Sequence, residues 1–165
     1  MIFRISTKLG KKIHVTPDKI LPVDPNPFAD WSAHLFTVDR TQYVLVTNTI
    51  SLYSMVMLGR GLSDDRLFLG EVTDRMRDVI RSDGHESIFE KFIVPSMDTV
   101  RFSKALNRSV TGSMNDFIFQ AKYELIEPEL SLNEISFLLN ECPMSYLDRG
   151  MPKDVFQELA NNRGN

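Results

Sequence analysis

The residues best suited to chemistry in this chain stand together at Asn107-Arg108-Ser109-Val110-Thr111-Gly112-Ser113-Met114-Asn115-Asp116. On a helix, Arg108, Thr111, Gly112 and Asn115 share one stripe at i, i+3, i+4 and i+7, and Val110, Met114 and Phe117 share another. A guanidinium, the Ser109 hydroxyl and early backbone N–H groups are the donors that hold a phosphate or carboxylate. Gly112 removes a side chain, so a ligand or another backbone can come close. The same residues admit a purely architectural reading, in which Arg108 and Asn115 satisfy loop carbonyls and Gly112 admits a crossing strand. The segment is not a phosphate loop, because the Gly-x4-Gly-Lys-Ser/Thr order is absent.

Three further groups are candidates. Trp31, the only tryptophan, either pins the preceding proline loop to the sheet or forms a stacking platform for a base or sugar. Asp39 and Arg40 lie in a turn, where Asp is common for conformational reasons and where binding residues also concentrate. Lys8, Lys11 and Lys12 share a helical face and, with Arg4, make a basic patch: either a solvated face or a nucleic-acid contact. His14, His34 and His85 are far apart, and the single Cys142 completes no ligand spacing, so neither a metal nor a cofactor is expected.

The elements that must position these residues are legible from periodicity. Ile2-Phe3-Arg4-Ile5 reads as a short strand, and Ser6 as the cap of a short helix running to Ile13. Pro17, Pro22, Pro25 and Pro27 impose a loop ending near Asp30. Strands follow at 34–38, 43–47 and 51–57, joined by short turns that imply an antiparallel meander. The second half is helical. Ser63 is the expected cap of a helix whose apolar stripe is Leu69, Val72, Met76, Val79 and Ile80. A shorter helix spans 86–94, stopped by Pro95, and 99–103 is an added edge strand. The Arg108 helix carries Val110, Met114, Phe117, Ile118, Ala121 and Leu125 on its apolar face, with Pro128 beyond its end. Ser131 to Glu134 fits a capping box ahead of Ile135, Leu138 and Leu139, and a last helix spans 152–160. The expected fold is α+β: a small, mainly antiparallel sheet with helices packed on one face and a helical C-terminal half. Residues 1–160 are expected to form one such domain, with 161–165 a frayed tail.

Composition narrows the class. The chain has 165 residues, a net charge of −3 and 42% hydrophobic residues, ordinary for a globular domain. One cysteine permits no internal disulfide. The apolar run at 55–58 is far short of the ~20 residues of a membrane span, and no signal-peptide pattern opens the chain, so a cytoplasmic setting is expected. Charge is uneven. Arg4, Lys8, Lys11, Lys12 and Lys19 stand against Asp18 at the start, whereas 61–100 is acid-rich.

Three pieces of the chain together resemble a known family: Thr7-Lys8-Leu9-Gly10-Lys11-Lys12; Trp31-Ser32-Ala33-His34-Leu35 running into Asp39-Arg40-Thr41-Gln42-Tyr43-Val44-Leu45-Val46; and Asn107 to Asn115. Their order is similar to a bacterial family in the series of domains of unknown function, number 6933. Its members carry T-x-K-L-x-K-K, W-x-A-N-L, D-R-x-x-x-V-L and R-S-V-x-G-S/T-M/L-N motifs. His34 stands where that family often has Asn. The resemblance covers the chain to about residue 125, implies a bacterial or phage-related origin, and brings no activity.

These readings converge on a non-enzymatic binding or regulatory module of bacteria or a mobile element. Its partner is expected to be a protein or nucleic acid met through Arg108, Ser109 and Asn115. The alternative is an enzyme or nucleotide-responsive factor binding an anionic small molecule there, with Trp31 and Asp39 helping to build the pocket.

Overall fold

Strand alternation divides the side chains of one sheet between two cores. The computed structural model describes residues 1–126 and 129–163. Its sheet comprises β1 (Ile2–Ile5), β2 (Asp30–Val38), β3 (Thr41–Asn48), β4 (Ser54–Leu58) and β5 (Arg101–Ser103), in the order β4-β3-β2-β1-β5. The expected meander is present in β2, β3 and β4. The sheet as a whole is mixed, because β1 runs parallel to β2, and β5 parallel to β1.

Among the described residues, six α-helices complete an α+β fold with a helical second half: α1 (Thr7–Ile13), α2 (Asp65–Ser82), α3 (Glu86–Ile88), α4 (Arg108–Ile126), α5 (Leu132–Asn140) and α6 (Pro152–Asn161). They cover both faces of the sheet, not one. Phe3, Ala33, Val44, Val46 and Met55 meet Leu9 of α1, Phe68 and Met76 of α2 and Phe156 of α6. Phe36, Val38, Leu45 and Val56 meet Val110, Met114 and Phe117 of α4 and Leu139 of α5. The reason is the period of two: β3 and β4 are apolar on both sides, and each apolar side has to be removed from water.

Local chemistry explains the element ends. The Ser6 hydroxyl accepts the Leu9 N–H and caps α1. Gly10 is required within it, because a Cβ there would stand 2.5 Å from the Val15 carbonyl oxygen. Asp64, not Ser63, caps α2; its carboxylate accepts the Leu67 N–H at 2.9 Å. Phe68, four residues before Val72, is buried on the apolar face, and Leu69 is only partly buried. The helix expected over 86–94 is one short turn of α3 followed by a π turn (Phe89–Ile93) and a 3-10 turn (Val94–Ser96) holding Pro95. Ser131 and Glu134 form the expected capping box of α5. Leu138, expected inward, is 37% exposed.

β2 begins at Asp30, ahead of the expected start at His34, so Trp31 lies in the strand that follows the proline loop. β4 begins only at Ser54, because Asn48 ties a turn ahead of it, accepting from the Ser51 N–H and hydroxyl, and Leu52 has φ 60°. Beyond α6, the Arg163 guanidinium donates to Asn26 Oδ1 at 3.2 Å and to the Pro25 carbonyl. Pro128, Gly164 and Asn165 lie outside the described residues.

Candidate functional site

A groove opens where β1 stops short of β2. The parallel pairing ends at Ile5 and Ala33, while β2 runs on to Val38. The chain leaves β1 through Ser6, whose N–H donates to the Ala33 carbonyl, and turns into α1. α1 buries Leu9 and Ile13 in one core and keeps Lys8 and Lys11 in solvent. From the opposite face of the sheet, α4 brings Asn115, Ile118 and Lys122 to the same opening. The groove measures about 750 Å³, with His34 to Thr37 as its floor and Lys8, Lys11, Lys12 and Lys122 around it. Lys12 Nζ donates to Gln42 Oε1 at 2.7 Å, fixing one wall. Among the described residues lining it there is no carboxylate.

Two neighbouring depressions share walls with this groove. Asn115 also lines one of about 390 Å³, together with Arg108, Thr111 and Gly112 and an apolar side of Ile20, Ala105 and Leu106. Lys12 also lines one of about 500 Å³, together with Arg40 and Arg60. Neither holds a carboxylate among its described lining residues. Arg108, Lys122, Lys8, Lys11, Lys12, Arg40 and Arg60 therefore follow one another through three concavities. α2 packs in the same core as α1, and its Asp65, Glu71, Asp74 and Asp78 are balanced by Arg66, Arg75, Arg77 and Arg81.

Local structure sets each cation's availability. Asn107 Oδ1 accepts the Val110 N–H at 2.9 Å and starts α4. The first turn of α4 carries no acidic side chain, so the helix dipole's positive end adds to the charge of Arg108. Arg108 and Asn115 are exposed, and among the described residues neither makes a side-chain hydrogen bond or ion pair. No atom lies within 4 Å of where a Cβ on Gly112 would stand, so no strand crosses there. Burial lowers the pKa of His34, which keeps its imidazole neutral at neutral pH.

Other sequence candidates have different fates. Arg4 does not join the lysines: it is fully buried, and its guanidinium holds Asp30 through Nε at 2.7 Å and Nη2 at 2.8 Å. It also donates to the Leu21 and Pro22 carbonyls and the Ser103 hydroxyl. The alternation of β1 sends Arg4 to the face opposite Phe3 and Ile5, where Asp30 waits on β2. Trp31 is likewise fully buried; its indole N–H donates to the Phe28 carbonyl at 2.8 Å, and its ring meets Phe156. No ligand can reach it, which corrects the stacking-platform reading. Ser109 stands off the Arg108–Asn115 stripe, and its carbonyl accepts from the Ser113 hydroxyl. Asp39 and Arg40 form the β2–β3 turn with φ 44° and 67°, the left-handed pair that a tight hairpin demands.

Sequence reasoning missed Lys122, His34, Gln42 and Arg60 as members of one surface. Lys122 was within reach of pattern reading, being seven residues after Asn115 on the same face. The others are joined only by strand pairing, which sets Gln42 opposite Thr37.

Residues 2–155 match the model of a family described as Domain of unknown function (DUF6933). The chain belongs to that family. No curated protein and no solved structure matches the chain. The match spans all three segments that meet at this surface: the α1 lysines, the β2–β3 hairpin and the first turns of α4. Among the described residues, no helix is long and apolar enough to cross a membrane.

Proposed function

We propose that this member of the family is a non-enzymatic binding module that takes a nucleic acid along the groove between α1 and α4. The single observation that carries the reading is the set of cations, from Arg108 to Arg60, that lines three concavities with shared walls and no described carboxylate. An extended line of point charges suits a polyanion with regularly spaced phosphates better than one small anion. Lysines supply charge without the rigid geometry of arginine forks, which favours contact with a backbone over reading of base edges. The overall charge of −3 does not oppose this, because local potential at a concave surface governs encounter.

The test is binding of oligonucleotides across a salt series. The logarithm of the affinity falls linearly with the logarithm of salt, in proportion to the phosphates neutralised. The variant K8Q/K11Q/K122Q weakens binding and flattens that slope while leaving the circular dichroism unchanged. Absence of binding to any oligonucleotide at low salt, or equal binding by the triple variant, overturns the proposal. A thermal shift with inorganic phosphate or nucleotides that is lost in Arg108→Ala, without oligonucleotide binding, would transfer the site to a small anionic ligand.

A further inference from the structure

Two aromatic rings beside the groove bear on which form of nucleic acid it takes. Phe119 is 79% exposed and Tyr123 is 76% exposed, both on the outer face of α4. Large aromatics are poor surface residues unless something covers them. Neither contributes to either core. Their spacing of four residues puts them in line along the helix. Phe119 follows Asn115 by four residues and precedes Lys122 by three, so it borders two residues that line the groove. Phe119 thus adjoins the groove's cations, where charge complementarity selects a polyanion over an apolar partner as occupant; Tyr123 stands one turn further on, where it also lines a depression with Glu124 and Glu129.

Resting on the groove reading, we infer that the occupant is a single strand, with its backbone along the lysines and its bases stacked on Phe119 and Tyr123. A duplex keeps its bases stacked on one another and offers these rings nothing. An unpaired strand exposes a π-face at every nucleotide, and each stack on an aromatic ring tightens binding about 5- to 150-fold. The arrangement tolerates sequence, because every base has such a face. It is indifferent to the sugar, so DNA and RNA strands share the chemistry.

The experiment uses the full chain and labelled strands of about 16 nucleotides, within the range that one single-strand module covers. The probes are oligothymidylate, oligouridylate, a strand of abasic sites of the same length, and a matched duplex. Both base-bearing strands bind more tightly than the abasic strand and the duplex. Phe119→Ala and Tyr123→Ala each remove most of that advantage without altering the fold, since neither ring packs in a core, and Phe119→Trp restores it. If the abasic strand or the duplex binds as tightly as the base-bearing strands, or if both alanine variants bind as the wild type does, stacking is overturned while the groove reading stands. If no strand binds at low salt, both fall together. Capture of a protein whose binding is lost in Phe119→Ala, with no strand bound, assigns the rings to a protein interface and overturns the inference.

Discussion

Two polar regions of this molecule draw on the same N-terminal basic segment and treat it in opposite ways. Under the loop over 19–27, Arg4 is sealed against Asp30, with Ser103 and two carbonyls taking its remaining donors. Asp30 in turn accepts the Asp24 N–H. Among the described residues, every buried side-chain nitrogen or oxygen has a hydrogen-bond partner. At the groove, a few residues away, Lys8 and Lys11 stand in solvent among further cations with no carboxylate lining it. A saturated charge holds the fold; an unsaturated one is left for something outside it. The contrast teaches that residue type says little about role until its partners have been counted.

The comparison breaks most visibly at the sealed pair. Arg4→Met leaves the Asp30 carboxylate buried without its cation and destabilises the protein by about 3–5 kcal/mol, measured by urea unfolding. A loss below about 1 kcal/mol would mean that water reaches the pair. The lysines behave inversely: K8Q/K11Q/K122Q shifts the unfolding midpoint little, whereas its oligonucleotide salt slope is lower by about 2, since each contact to a single strand contributes about 0.7.

Smaller changes sharpen the contrast within α4. Asn107→Ala removes the oxygen that holds the Val110 N–H and lowers stability by about 1 kcal/mol, seen in the melting temperature. Gly112→Ala does the opposite. The site is exposed, helical and open, so the alanine stabilises by about 0.5–1 kcal/mol. If that variant is more stable and yet binds oligonucleotide less well, the absent side chain serves the surface and not the helix. The smallest effect concerns pH. Burial holds the His34 pKa below its unfolded value of about 6.5, so the unfolded chain takes up the proton first. Stability contributed by neutral His34 is present above that value and is lost as the pH falls toward the folded pKa. His34→Asn flattens this part of a stability-against-pH curve; an unchanged curve places the titration elsewhere.

Much of the fold was legible in sequence because its signals are local. The Ser6 cap, the Ser131–Glu134 box, the meander of three strands and the apolar stripe of α4 each rest on spacings within a few residues. Element ends were read less well than elements. Asp64 and not its neighbour Ser63 caps α2, a choice between two equally local signals, and the strand expected from His34 begins at Asp30 because Trp31 pairs with Asn48. Cover on both faces was within reach from Val44, Leu45, Val46 and Val56, which leave no polar side on β3 or β4. The candidate site was legible only in pieces. Arg108, Gly112 and Asn115 form the expected stripe, and the lysines of α1 form another, but the two are about a hundred residues apart in the chain.

The sequence by itself determined which segments are helices and strands, and which faces of them are apolar, because capping and periodicity act over one or two turns. Only the tertiary structure decided that Arg4 is an internal counter-ion, that Trp31 is sealed, and that the α1 lysines meet Lys122 and Asn115 across the end of β1. Those outcomes depend on a parallel pairing that ends at Ile5, and on side chains brought together from opposite faces of a sheet. No local spacing encodes where one strand stops against another.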